Sequence, residues 1–156
     1  MKEVGTDYLD VVQLHCQMSG DWTRQMRRQM DLLADLKRRG DIRAHGASIH
    51  SLAALAAAAA EPWVDVIHAR VNMYGHATDG PMEKVVPILR KAHAAGKGII
   101  AMKLSGEGTF DAAQRETNLR FVMGLDCVDA MVVGFEKREQ IDEFKAGMQR
   151  ILAAHR

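Results

Sequence analysis

Five apolar runs, each followed by a stretch with helical spacing, succeed one another through 156 residues. This alternation restricts the chain to a parallel α/β architecture, because parallel neighbours cannot be joined by a tight turn and need a crossover, usually a helix. The runs are Tyr8-Leu9-Asp10-Val11-Val12-Gln13-Leu14, stopping at His15; Ile42-Arg43-Ala44-His45-Gly46-Ala47-Ser48; Val64-Asp65-Val66-Ile67-His68; Ile99-Ile100-Ala101-Met102; and Ala130-Met131-Val132-Val133. They are close to continuously apolar, which predicts strands covered on both faces. Arg24 to Arg39 sets Met26, Met30, Leu33 and Leu36 at helical spacing and stops at Gly40. Ser51 is placed to cap an alanine-rich helix that Glu61-Pro62 ends. Further helices are expected from Glu83 to Ala95, from Gln114 to Met123 and from about Arg138 to Ala153, with Pro87 early enough in its helix to do little damage.

The expected fold is therefore a partial (β/α)8 TIM-type barrel, one domain over residues 1–156 with about five parallel strands alternating with helices. Closing such a barrel takes about eight strands and roughly 250 residues, so the front strands are expected to be absent. Met1-Lys2-Glu3-Val4 could belong to a helix preceding the first strand. A formal net charge of +1 gives no reason to expect nucleic acid or an acidic surface as partner. No apolar stretch approaches the roughly 20 residues that span a bilayer, and the amino terminus lacks the pattern of a signal peptide. Cys16 and Cys127 fit neither a disulfide framework nor a metal-ligand spacing. Together these predict a cytoplasmic protein with reduced thiols and no membrane association.

A parallel barrel carries its chemistry at the carboxyl ends of its strands. Those positions are His15, then Ser48-Ile49-His50, then His68 to Asn72, then Met102-Lys103, then Gly134 to Lys137. Any one strand-end histidine or lysine is as readily a solvated loop residue; polar groups gathering at five successive ends are the stronger signal. Gly134 allows close backbone approach. Glu136, Lys137 and Arg138 precede a helix whose first amides can receive a phosphate, with Lys137 or Arg138 adding charge. Gly75 to Pro81 and Gly106 to Asp111 are candidate substrate or cofactor loops, or plain surface connections.

Three segments carry a resemblance to a known family. Gly5-Thr6-Asp7-Tyr8-Leu9-Asp10-Val11-Val12-Gln13-Leu14-His15 resembles the fourth-strand segment of the aldo-keto reductases. Ile42 to Ser48 resembles that family's fifth strand, which typically ends in Gly-Val-Ser, and Val133-Gly134-Phe135 with Gln140 and Glu143 resembles the eighth-strand phosphate loop and its helix. The resemblance implies strands four to eight of a family barrel, and an oxidoreductase that moves hydride between NADP or NAD and a small carbonyl substrate. Of the family tetrad of Asp, Tyr, Lys and His, only the histidine carries over, at His15, where it would orient the substrate carbonyl. Tyr8 lies too early in its strand to replace the tyrosine, and Lys103 belongs to a different strand.

For the cofactor, the resemblance implies Ser48 as the hydrogen-bond partner of the nicotinamide carboxamide, with Ile49 where an asparagine usually helps and His68 where a glutamine is common. Met102 stands in for the aromatic ring that stacks on the nicotinamide, a thioether being able to cover a ring face. Lys103 heads the loop over the pyrophosphate, Gly134 and Phe135 belong to the phosphate loop with Lys137 beside it, Gln140 occupies a position often held by arginine, and Glu143 matches an acid that contacts the adenine. These departures leave NADP and NAD both open.

Two other functions are compatible with the residues. His15, His45, His50 and His68 lie on successive strands, and imidazoles at strand ends can hold zinc in a metal-dependent hydrolase. Against it, the first strand has no His-x-His pair, no strand-end carboxylate is evident, and His45 precedes its strand's end. Alternatively, an open part-barrel has two free edges and an exposed inner face, and self-association or assembly with a partner would be its role.

Overall fold

A computed structural model of the chain describes Glu3 and residues 5–154. The helical segment expected to include Met1-Lys2-Glu3-Val4 therefore falls largely outside the described residues. Strands β1 (Leu9–Gln17), β2 (Ile42–Ile49), β3 (Val66–Arg70), β4 (Gly98–Met102) and β5 (Ala130–Met131) pair in chain order, every pair parallel. Between them run α1 (Trp22–Gln25), α2 (Arg27–Arg39), α3 (Leu52–Ala60), α4 (Met82–Ala94) and α5 (Ala112–Met123), and α6 (Arg138–Ala154) follows β5. This is the partial α/β barrel that the alternation predicts.

The helices cover one face of the sheet. Ala47 and Ile49 of β2, Ile67 and Ala69 of β3, and Ile99 and Ala101 of β4 are fully buried against Met30 of α2, Ala54 and Leu55 of α3 and Leu89 of α4. Each fully buried Leu or Ile contributes about 1.5–3 kcal/mol through loss of contact with water. Because strand side chains alternate, Val11, Gln13, His15, Ser48, His68, Arg70, Ile100 and Met102 point to the opposite, inner face. The expectation that both faces would be covered is corrected here: most of those inner residues are partly or well exposed, and several are polar. The short, apolar-looking runs hid this alternation because β4 spends apolar or small residues on both faces.

Element bounds differ notably from expectation in four places. The first strand continues through His15 to Gln17, with a register shift between Leu14 and Gln17 where Cys16 adopts a left-handed φ of 57°. The third strand begins two positions later than Val64, which is buried in the core ahead of it. The helix expected from Arg24 to Arg39 is broken at Met26 (φ −99°, ψ 13°), because Trp22 is buried and its indole N–H donates to the Ala54 carbonyl at 3.2 Å, pinning the first turn to α3. At the other edge only Ala130 and Met131 form ladder strand, although the Val132 N–H still donates to the Ala101 carbonyl at 2.9 Å.

Two local devices set the geometry. Gly46 is required where β2 meets β3, since a Cβ there would lie 1.9 Å from the Val66 carbonyl oxygen. Ser51 caps α3 as expected, its Oγ accepting from the Ala54 N–H at 3.0 Å and donating to the Met18 carbonyl at 2.6 Å.

Candidate functional site

Because all five strands are parallel, their carboxyl ends lie along one edge, and the loops after them build two adjoining regions. The first is polar and sits on the inner face of β1 to β3. Ser48 Oγ accepts from the Cys16 N–H at 2.8 Å and lies 3.5 Å from His15 Nδ1. The left-handed Cys16 turns its amide toward Ser48, so the β1 bulge fixes the spacing of the two residues. His15 and His50 rings meet edge to face with centroids 6.2 Å apart. Across β2, Gln13 Oε1 meets His68 Nδ1 at 2.9 Å.

That last pair leaves two gaps. Gln13 Nε2 and His68 Nε2 are shielded from solvent and have no hydrogen-bond partner among the described residues. Burial holds the His68 pKa below its usual range, so the ring is neutral at pH 7. With Nδ1–H donating to Gln13, Nε2 is a bare acceptor, and the Gln13 amide is a bare donor. Buried groups in this state cost about 1–3 kcal/mol each. His50 is also held below the usual histidine range, first by burial and then by the positive charge of Arg70, His15 and Lys103, with Glu107 opposing.

The loops after β3 and β4 are tied together by two amides: Asn72, at the end of the strand-end run from His68, and Asn118, which sequence reasoning passed over. Buried Asn72 donates to the carbonyls of His76 (2.7 Å) and Lys103 (3.3 Å) and accepts from the His76 N–H (3.1 Å). Buried Asn118 of α5 accepts from the Met73 N–H and donates to the Leu104 carbonyl, each at 2.8 Å. These bonds hold Lys103 in a left-handed conformation (φ 65°), in which its Nζ pairs with Glu107 at 2.7 Å. Asp79, its side chain fully buried, grips the end of β3 by accepting from the Arg70 N–H (3.0 Å) and from Arg70 Nε (2.7 Å).

The second region is a cavity of about 600 Å³ between the β4 loop, the segment after β5, α5 and α6. Met102 and Lys103 join it to the polar region, and Gly134, Phe135, Gln140 and Glu143 line it with Phe110, Arg115 and Phe144. The structure thus brings Met102, Lys103, Gly134, Phe135, Gln140 and Glu143 to one cavity and His15, Ser48 and His68 to the adjoining face. Lys137 is exposed and forms no part of the cavity wall. The amides before α6 that were expected to be open to a phosphate already have an acceptor: Gln140 Oε1 receives the Glu136 N–H at 2.8 Å and the Lys137 N–H at 3.1 Å. Glu143 accepts from Arg115 at 3.2 Å.

The histidines offered for zinc do not converge. His45 points into the helical layer, stacked on Trp63 with centroids 4.1 Å apart, and its Nδ1 lies 3.2 Å from Asp65 without hydrogen-bond alignment. Among the described residues no group of three or more His, Cys, Asp or Glu is placed to hold a metal ion.

The sequence model of the aldo/keto reductase family matches residues 1–121. The chain belongs to the aldo-keto reductase family. No curated protein sequence matches it. Among solved structures it is similar to a protein from Pseudomonas aeruginosa assigned to the aldo-keto reductases, with 23% identity and a TM-score of 0.77 over 97% of this chain and 55% of that one. It is also similar to the holo form of an aldo-keto reductase from Bacillus halodurans, with 16% identity and a TM-score of 0.72 over 95% of this chain and 55% of that one. At these identities the likeness is one of fold, and the chain spans about half the length of either structure. Among the described residues no helix is long and apolar enough to cross a membrane.

The family generally uses NAD(P)H. Among the described residues, Gln13 Nε2 and His68 Nε2 are an unpartnered donor and an unpartnered acceptor. The adjoining cavity falls within the usual size range of small-molecule sites, roughly 300–1,000 Å³, and has aromatic walls with a few polar groups.

Proposed function

We propose that this chain is the dinucleotide-binding back part of an NAD(P)-dependent aldo-keto reductase, its strands β1 to β5 serving as the fourth to eighth strands of the family barrel. The observation that carries the reading is the Gln13–His68 pair, a matched unpartnered donor and acceptor beside Ser48 on the inner face. A nicotinamide dinucleotide, when bound, supplies or accepts the hydride exchanged with a small carbonyl substrate.

The chain's own residues have separable tasks in this reading. Ser48, Gln13 and His68 orient the nicotinamide carboxamide, the Gln13 amide turning about its side-chain bonds to present its N–H. Met102 covers the ring face. His15, beside Ser48 and exposed on the inner face, orients the substrate carbonyl. Lys103, held in place by Asn72, covers the pyrophosphate, while Gly134, Phe135, Gln140 and Glu143 enclose the adenosine end and Lys137 stays at its margin. A cytoplasmic location belongs to the same proposal and agrees with the free thiols of Cys16 and Cys127.

Titration of the purified chain with NADH and with NADPH, followed by nicotinamide fluorescence or calorimetry, tests the reading. Saturable binding is expected, weakened about tenfold or more in His68→Leu, as loss of one well-placed hydrogen bond of about 1.4 kcal/mol dictates. Absence of binding by the folded wild-type chain overturns it. With a reactive aldehyde and reduced cofactor, the chain alone is expected to show no turnover, since the resemblance carries no proton-donating tyrosine onto it; robust turnover would reverse that expectation.

A further inference from the structure

Building on that reading, we infer that the cavity between α5 and α6 selects NAD(H) over NADP(H), because its charges leave no counter-ion for a phosphate on the adenosine ribose. The cavity wall carries the carboxylates of Glu107, Glu116, Glu136 and Glu143 and the cations of Lys103, Arg115 and Arg150. Each cation is already engaged: Lys103 by Glu107, Arg115 by Glu143 and Arg150 by Glu116. Glu136 has no cationic partner among the described residues. The wall therefore holds four negative groups against three positive ones, each of the latter paired.

A phosphate monoester carries about −1.5 to −2 charge at pH 7. Placed here, it must take a cation from an existing pair, leaving a carboxylate beside it, or remain uncompensated next to Glu136 and Glu143. The backbone offers no relief. The N–H groups of Glu136 and Lys137 are where a helix start would receive an anion, and Gln140 Oε1 occupies both. Lys137 and Arg138 are exposed and outside the cavity wall. An unmodified ribose meets the opposite situation, because its hydroxyls donate to carboxylates, the same logic by which an acid beside the ribose favours NAD in dinucleotide folds. Phe110, Phe135 and Phe144, the last two in edge-to-face contact at 5.6 Å, supply apolar surface for a purine.

Calorimetric titration of the wild-type chain against NADH and NADPH separates the outcomes. NADH binding about tenfold or more tighter than NADPH supports the inference. Equal or tighter binding of NADPH overturns it while leaving the proposed function intact, and failure of both to bind overturns the proposed function and the inference with it. The double variant Glu136→Lys, Gln140→Arg opens the helix start and inverts the local charge. It is expected to gain NADPH affinity by about tenfold and to lose NADH affinity, because the Glu136 carboxylate available to the ribose hydroxyls is gone. A folded double variant, verified by circular dichroism, that shows no such gain would remove the ribose from this cavity.

Discussion

Single residues decide whether this sheet can assemble and how it responds to pH. Gly46→Ala places a methyl 1.9 Å from the Val66 carbonyl oxygen, a clash with backbone that no rotamer relieves. It should cost more than about 3 kcal/mol, in the range reserved for overpacked cores, and denaturant unfolding checks this; an unchanged midpoint would show that β2 and β3 can separate. Asp79 gives the pH prediction. Burial raises its carboxyl pKa to about 6, with the Arg70 hydrogen bonds opposing. The unfolded value is about 3.9, so between roughly pH 4 and 6 the folded state holds a proton that the unfolded state has lost. Stability from this group is thus greatest at low pH and is lost as pH rises through 6. Burial lowers the values of His45, His50 and His68, which pushes the opposite way in any variant that keeps them. The difference in unfolding free energy between wild type and Asp79→Asn should therefore move toward the wild type by on the order of 2–3 kcal/mol from pH 7.5 to pH 4; a pH-independent difference would mean that Asp79 titrates normally.

Elements depend on their ends. The α3 helix is almost all alanine, so its intrinsic propensity is high. Its placement rests on Ser51, which caps the helix and holds the Met18 carbonyl of the segment after β1. Ser51→Ala should cost about 1–2 kcal/mol with an unchanged denaturant slope, read as a shift in midpoint; a loss under a few tenths would assign the ordering to Trp22 instead. The cap was legible from Ser51 ahead of an alanine run, and the helical faces from their apolar spacing. The break at Met26 was not, because the apolar period continues through it and only the bond from Trp22 to Ala54 interrupts the helix. The end of β1 was equally hidden, since His15 looks like a stop signal and the bulge that continues the strand depends on Ser48 of another segment.

At the scale of the whole molecule, the open sheet has consequences of its own. β1 and β5 are edge strands, and Val11 on the inner face and Val132 just after β5 are 39% and 50% exposed. Unpaired edges beside exposed apolar side chains promote association. Sedimentation of this 156-residue chain should show an average mass that rises with protein concentration; a monomer at every concentration would show that the edges are protected. The sequence alone determined the parallel α/β order, the apolar face of each helix and the set of strand ends at which polar groups collect. These are local patterns, because which side of an element meets the core is written in its own periodicity. Only the tertiary structure decided which polar atoms meet. Gln13 reaches His68, 55 positions away, across β2, and Gln140 fills the helix start expected to receive a phosphate. Such pairings depend on strand register and on loop paths fixed by Asn72 and Asn118, and those follow from the packing of distant segments against one another rather than from any neighbouring residues.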